Sequence, residues 1–291
     1  MTSDSIVHLD CTLRDGGYYN SWQFSKSLIS DYLVAMKSSN VDVVEIGLRS
    51  LVNSCFKGPN AYSSESFLGS LNIPKELRVS VMVNASELIA YDDKISFIDQ
   101  LFPVDAVDSH VDIVRIASNI NHVQGSLSSI EYLASKGYQV CLNIMQISEA
   151  IPEDVSKCLA LLADSSLTVL YFADSMGSMN NSDIESIIDV IKTYWPNSIG
   201  IHTHDNMGLA LSNTLHAIKS GVEWVDSTVT GMGRGAGNAR TEELCLELAP
   251  LRGDQLSILK LMALIENHFY PLKQLYKWGT NVYYYLAGKY S

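Results

Sequence analysis

The 291-residue sequence predicts an α/β protein: a closed (β/α)8 TIM barrel with a short C-terminal helical and aromatic extension. Three observations point there. Short β-branched runs alternate with longer amphipathic stretches almost from end to end, as buried parallel strands and their crossover helices do. Eight such units follow one another at intervals of roughly 30 residues, filling the ~250 residues that such a barrel takes. No Pro-rich linker, charge block or low-complexity tract divides the chain. Residues 1–250 are therefore expected to form one catalytic barrel, with residues 251–291 packed on it or at an interface. An open doubly wound sheet is the alternative arrangement of the same elements.

Strands are read at residues 6–10, 43–47, 79–83, 113–116, 140–144, 169–172, 199–202 and 224–229, each short and rich in Val and Ile. Helical periodicity places helices over 24–37, 95–101, 130–136, 153–163, 182–194, 209–219 and 242–248. Between the second and third strands the pattern is irregular, with one short helix near 63–69. The alternation stops after Pro250, where a helix over 255–268 precedes an aromatic stretch containing Tyr283, Tyr284 and Tyr285. Tyrosine suits half-buried surfaces, because its ring packs while its hydroxyl stays wet. Such a tail can close one end of the barrel, cover a site, or form an interface.

Lys and Arg number 20 against 32 Asp and Glu, a formal net charge of −12. That charge repels phosphate backbones and anionic lipid, so neither nucleic acid nor a membrane surface is an expected partner. Charged residues make up 18%, below the ~25% of ordinary globular chains, which points to much buried surface and to a homo-oligomer. The five cysteines are scattered without a C-x-x-C pair, so no disulfide framework or Cys-rich zinc site is expected. Residues 1–4 are polar and carry no signal-peptide pattern. No apolar run approaches the ~18 residues needed to span a bilayer. A cytoplasmic setting is the expectation.

In a parallel barrel, chemistry sits at the carboxyl ends of the strands. The first strand ends in Asp10, Cys11, Thr12, Leu13, Arg14, Asp15, Gly16 and Gly17, which sets opposite charges side by side before two glycines. A surface turn with a local ion pair is the plain alternative. The seventh strand ends in His202, Thr203 and His204. Residues two apart in a strand face the same way, so both imidazoles can address one point. The eighth is followed by Gly231, Met232, Gly233, Arg234, Gly235, Ala236, Gly237 and Asn238. This loosely matches a dinucleotide fingerprint, but no further βαβ unit follows it, and a compact amide-rich loop is the better account.

Barrel closure places strand eight between strands seven and one. Asp15, His202, His204 and Asn238 then converge as a mixed N/O shell for one divalent ion per chain, Mn2+ or Mg2+ foremost and Co2+ or Zn2+ also suited. Such an ion, with one carboxylate ligand, stays Lewis-acidic and can polarise the carbonyl of a 2-oxo acid. Arg14 adds a fixed positive charge where an enolate oxygen would develop.

These three motifs, in this order, resemble the signatures of the HMG-CoA-lyase-like metal-dependent aldolase and lyase superfamily, over roughly residues 5–250. The stretches Val44 to Gly47 and Asp174, Ser175 and Gly177 resemble its second and sixth strand ends. The resemblance implies carbon–carbon bond making or breaking beside a metal-held enolate. It implies Asp15, His202 and His204 as ligands, Asn238 as a fourth ligand or their support, and Arg14 as enolate stabiliser. Glu45, Asp174 and Ser175 become candidate substrate-binding residues. Arg234, at a variable loop position, reads as a group for a substrate carboxylate or phosphate, or as a solvated surface charge. The glycine-rich loop looks nearest to the 4-hydroxy-2-oxovalerate aldolase type, which implies cleavage of a 4-hydroxy-2-oxo acid to pyruvate and an aldehyde, or the reverse. The HMG-CoA lyase type places a cysteine in a longer loop here, and none of the five cysteines lies there.

Two departures stand out. Where those aldolases carry a histidine base, three positions after the aspartate, this chain has Tyr18, and phenols are weak bases at neutral pH. Tyr18 is read as a catalytic hydroxyl or as an aromatic wall. The aldolases also have a longer C-terminal helical region that docks an aldehyde dehydrogenase, so that partner is not carried over. Two further readings remain: an acyl-CoA Claisen-type synthase or lyase at the same site, and a barrel without chemistry serving as an interaction scaffold.

Overall fold

The computed structural model describes residues 6–53 and 55–290; residues 1–4, on which the signal-peptide expectation rests, lie outside the described residues. Eight parallel strands close into a barrel: β1 (Val7–Asp10), β2 (Val43–Leu48), β3 (Arg78–Asn84), β4 (Ile113–Ser118), β5 (Gln139–Ile144), β6 (Val169–Asp174), β7 (Ser198–Thr203) and β8 (Trp224–Ser227). β1 pairs with β2 on one side and with β8 on the other, which removes the free edges an open sheet would keep. The doubly wound alternative is thereby excluded.

Strand sequence explains the layering. Residues of β2, β4 and β6 are buried throughout, as strands covered on both faces must be. Outward residues such as Val114, Ile116, Leu142 and Leu170 join one large core with the helices. Inward residues stack in layers two apart. Leu9, Val43, Ile113, Val169 and Trp224 form an apolar floor. Above it Arg115 bonds Glu45 and Asp226 and lies 4.2 Å from the Tyr171 ring centroid. Met82, Ala117, Asn143, Ala173 and His202 come next, at the floor of an open cavity.

The helices follow local signals. Ser25 caps Lys26–Ser38 through the Leu28 N–H, and Asn180 with Asp183 forms a capping box on Asn181–Tyr194. That helix buries Ile184, Ile188 and Ile191, one face at helical spacing. The helix expected over 130–136 instead runs Ile120–Ser135, its polar first turns masking the period. The irregular segment after β2 holds Glu65–Gly69, close to the expected 63–69.

The extension departs most from expectation. Thr241–Arg252 runs through Pro250 and ends at Gly253 in the left-handed region. The helix expected over 255–268 starts at Leu259–Leu264 and passes into a π-turn at Ile265–Phe269 before Tyr270–Tyr276. Pro271 has no N–H to continue the ladder, and the wide turn before it accommodates that loss. The aromatic tail is itself helical, Val282–Tyr290. The chain turns back over the barrel mouth: Trp278 Nε1 donates to the Thr230 carbonyl at 3.1 Å, and Thr280 Oγ1 to the Asn206 carbonyl at 2.9 Å. Among the described residues no helix is long and apolar enough to cross a membrane.

Candidate active site and metal centre

A cavity of about 490 Å³ opens at the carboxyl ends of the strands. Arg14, Asp15, Tyr18, Ser175, His202, His204 and Arg234 line it. Residues 12–15 form a helical turn directly after β1, so Arg14 and Asp15 enter the barrel mouth instead of a surface turn; they are 6% and 3% exposed. Trp22 Nε1 holds this turn through the Arg14 carbonyl at 2.9 Å.

Asp15 is gripped from two sides. Arg14 Nη1 donates to its Oδ1 at 2.7 Å and Asn238 Nδ2 to its Oδ2 at 2.6 Å. Burial works against the charged form, but the Arg14 guanidinium wins and keeps the carboxyl well below the usual carboxylate range. His202 Nε2 stands 3.5 Å from Asp15 Oδ2, while its Nδ1 donates to Asp226 Oδ2 at 2.9 Å. His204 Nδ1 donates to the Asp174 carbonyl at 2.8 Å, which leaves Nε2 as that ring's free nitrogen. Burial and then the neighbouring His202 push the His204 pKa down to about 4, so the ring is neutral and keeps a lone pair to give. The two rings meet edge to face, centroids 5.0 Å apart.

The glycine-rich loop is pinned against β7. Asp205 N donates to the Gly237 carbonyl at 2.8 Å, and His204 and Asn238 form an antiparallel bridge. Gly237 takes φ +80°, which an L side chain resists, and a Cβ on Gly233 would lie 2.6 Å from Asn238 Nδ2. Those two glycines let Asn238 lie against Asp15.

Asp15 and His202 are spaced to share one divalent cation, whereas the His204 ring is not among the ligand atoms grouped within 4.8 Å of one another. Two donors each ~2.1 Å from one ion lie ~3.0–3.4 Å apart, and Asp15 Oδ2 and His202 Nε2 stand at 3.5 Å. Asn238 Oδ1 is buried without a hydrogen-bond partner. Asp15, Glu45 and Asp226 set three carboxylates against the guanidiniums of Arg14 and Arg115. The balancing positive charge is either a bound cation or His202 itself, whose pKa burial lowers but Asp15 and Asp226 raise above its ordinary value. Cys11 also groups with Asp15 and His202, their ligand atoms within 4.8 Å of one another. Its thiol, however, donates to the Ser227 carbonyl at 3.4 Å and faces His202 Nδ1, the nitrogen already bonded to Asp226. Burial pushes that thiol well above its ordinary pKa, so it stays protonated.

Arg14 has a further feature. Its Nε donates to Glu45 Oε1 at 2.8 Å and its Nη1 to Asp15, but its Nη2 is buried without a partner. Glu45 thus lies beneath Arg14, outside the cavity lining, and it also accepts from Arg115 Nη1 at 3.2 Å. Asp174 likewise is not a lining residue: its carboxylate accepts the Ser178 and Met179 N–H groups at 3.0 and 3.4 Å, and burial pushes its carboxyl up to about 6. Arg234 lies over Tyr18, guanidinium carbon 4.6 Å from the ring centroid.

Sequence reasoning missed Asp226, Arg115 and Asn143, and placed Tyr284 only within a tail that closes the barrel, covers a site or forms an interface. Asp226 orients His202, Arg115 supports Asp226 at 2.6 Å, and Asn143 and Tyr284 line the cavity. The signal for the first two was available: a charge inside an otherwise apolar buried strand must have a partner there.

Comparison with known proteins gives the family. The HMGL-like family model matches residues 74–267, more than half of the chain. The chain is 28% identical over 247 residues to 4-hydroxy-2-oxovalerate aldolase 6 of Rhodococcus jostii, covering 83% of this chain and 67% of that protein. It is 24% identical to oxaloacetate decarboxylase of Mycobacterium tuberculosis, covering 88% and 73%. The N-terminal domain of a presumed aldolase from Bacteroides vulgatus superposes with a TM-score of 0.89 at 30% identity, covering 98% of this chain and 92% of that one. The chain belongs to the HMGL-like family and is an enzyme of its aldolase and lyase type.

Proposed function

We propose that the protein is a divalent-metal-dependent aldolase that cleaves a 4-hydroxy-2-oxo acid into pyruvate and an aldehyde, or joins them in reverse. The single observation that carries this reading is the unpartnered, buried Nη2 of Arg14 next to the Asp15 and His202 donors. A buried guanidinium nitrogen without an acceptor costs free energy, and a developing oxyanion beside it would remove that cost. The aldolase named among the relatives supports the substrate class.

Asp15, His202 and His204 would hold the ion, with Asn238 Oδ1 as a further oxygen donor. When bound, the ion supplies Lewis acidity toward the 2-oxo group. The residues of the chain do the rest. Arg14 Nη2 donates to the oxygen that becomes enolate. In cleavage the C3–C4 bond breaks and its electron pair enters the enolate, while the 4-hydroxyl loses its proton as the aldehyde carbonyl forms. Tyr18, lining the cavity, holds that hydroxyl and relays its proton toward water at the mouth. A proton then adds at C3 to give the methyl group of pyruvate. Residues 1–250 act as the catalytic unit and 251–291 as the cover over its mouth, with Tyr284 reaching the cavity.

The test is solvent-deuterium exchange into the methyl group of pyruvate, with no aldehyde present. Exchange is expected with Mg2+ and is expected to stop on chelation. No exchange above buffer with the ion present contradicts the reading, and exchange into acetyl-CoA instead moves it to acyl-CoA chemistry.

A further inference from the structure

The cavity is larger than a three-carbon oxo acid requires, and its wall away from the metal-ligand cluster is mixed, with Met82, Ala117, Met145, Ala173 and Met176 set between a few polar groups. β3, β5 and β6 and the loops after them contribute Asn84, Asn143, Gln146 and Ser175 to it. Asn143 is 4% exposed, and its Oδ1 is buried without a hydrogen-bond partner. Gln146 is held at φ +56°, in the left-handed region, by its N–H donating to Ser175 Oγ at 2.9 Å. That strain fixes the loop end against the cavity.

At the mouth, Arg234 is the second fixed cation of the lining after Arg14. It makes no ion pair among the described residues, and the Tyr18 ring beneath it gives it a defined position. Asp15 is the sole carboxylate of the described lining, and it is already bonded to Arg14 and Asn238. An anion entering here would meet Arg234, which carries no ion pair among the described residues, before Arg14, whose charge Asp15 and Glu45 already share.

We propose that the acceptor half of this site takes a hydroxylated aldehyde with a terminal anion, carboxylate or phosphate. Its hydroxyl donates to Asn143 Oδ1 and its anion pairs with Arg234. This rests on the aldolase reading and names its second substrate. In the joining direction the enolate carbon attacks the aldehyde carbon. The new C–C bond forms as the carbonyl π pair moves onto oxygen, which takes up a proton. A plain alkyl aldehyde leaves Asn143 Oδ1 unpaired and Arg234 unused, and a site built for hydrogen bonds discriminates against such an analogue.

The test uses the full chain with Mg2+ and pyruvate, and compares D-glyceraldehyde 3-phosphate, tartronate semialdehyde, D-glyceraldehyde and propanal. Wild type is expected to prefer a charged aldehyde over glyceraldehyde, and glyceraldehyde over propanal, by at least ~10-fold in kcat/KM at each step. The two charged probes separate phosphate from carboxylate. Arg234→Gln, an exposed change, is expected to raise KM for the preferred charged aldehyde at least ~10-fold, with a smaller effect on kcat. Asn143→Leu should narrow the gap between glyceraldehyde and propanal. Propanal serving as well as the others in wild type, or Arg234→Gln raising KM for pyruvate instead, overturns the proposal. Deuterium exchange into pyruvate keeps the two readings apart: exchange with a propanal preference removes only the acceptor assignment, while absent exchange removes the chemistry itself.

Discussion

Arg14 offers three nitrogens, and the protein engages two of them, on Glu45 and Asp15. The third is buried without a partner, open to the oxyanion of the proposed chemistry. Removing one donor to a developing oxyanion typically costs ~2.7–4 kcal/mol of transition-state stabilisation, so Arg14→Ala should lower turnover at least ~100-fold. Near-normal turnover in a folded Arg14→Ala protein would take the arginine out of the mechanism. Asp226 acts at one remove. Its Oδ2 accepts from His202 Nδ1 at 2.9 Å and from Arg115 Nη2 at 2.6 Å, so it fixes which imidazole nitrogen faces the site. Asp226→Asn should weaken metal affinity ~10–100-fold, read by calorimetric titration. It should also cost ~3–5 kcal/mol in urea unfolding, because a buried guanidinium loses its carboxylate. Residues with paired local signals were legible: Arg14 beside Asp15, and His202 two before His204. Glu45 and Asp174 are examples of the limit. Glu45 lies inside β2 and supports Arg14 from below, while Asp174 ends β6 and caps a loop, and only strand bounds and side-chain direction distinguish those uses.

At the scale of elements, the eight strands were legible because β-branched runs with both faces buried leave a plain pattern. The glycine loop was legible too, since its fold requires residues without Cβ at Gly233 and Gly237. The C-terminal extension was not, because its apolar and aromatic residues serve two surfaces at once. Trp278 is buried and bonds the Thr230 carbonyl, while Tyr19 stacks on Tyr276 at 5.5 Å. Nothing in helical periodicity announces the contacts that fasten the extension, among them an indole, a stacked pair and the Thr280 hydroxyl on the Asn206 carbonyl. Trp278→Ala should cost ~3–5 kcal/mol of packing, concentrated where the extension meets the β8 loop. Limited proteolysis should then cut the segment after Gly253 markedly faster than in wild type, with the barrel resisting. Equal cleavage rates would show that the cover is held elsewhere.

For the whole molecule, barrel closure decides both stability and function. His8 on β1 is 1% exposed and sits at the seam, its Nε2 2.6 Å from Ser227 Oγ on β8 and its Nδ1 3.8 Å from Cys245 Sγ. Burial, then Arg252, push its pKa down to about 3 from 6.5, and Asp226 opposes them only partly. Between those values the unfolded chain binds a proton that the folded chain refuses. The contribution is therefore full above about pH 6.5 and is lost as pH falls toward about 3. Over pH 6 to 4.5, His8→Asn should flatten the fall of unfolding free energy by about 1.4 kcal/mol per pH unit, one proton, in urea melts. Closure was legible from the count and spacing of strands. What spacing could not tell was the charged layer of Glu45, Arg115 and Asp226 beneath the site, since its three residues lie on β2, β4 and β8 and meet only across the interior.

The same closure brings Asp15 and Asn238 together across 223 positions of sequence. Titrating the protein with Mn2+ and following the electron paramagnetic resonance signal of the free ion tests that convergence most directly. One ion per chain is expected to be taken up, and uptake should fall at least ~10-fold in affinity in both Asp15→Asn and His202→Ala. No uptake by folded wild-type protein, or uptake that both variants leave untouched, would contradict the account.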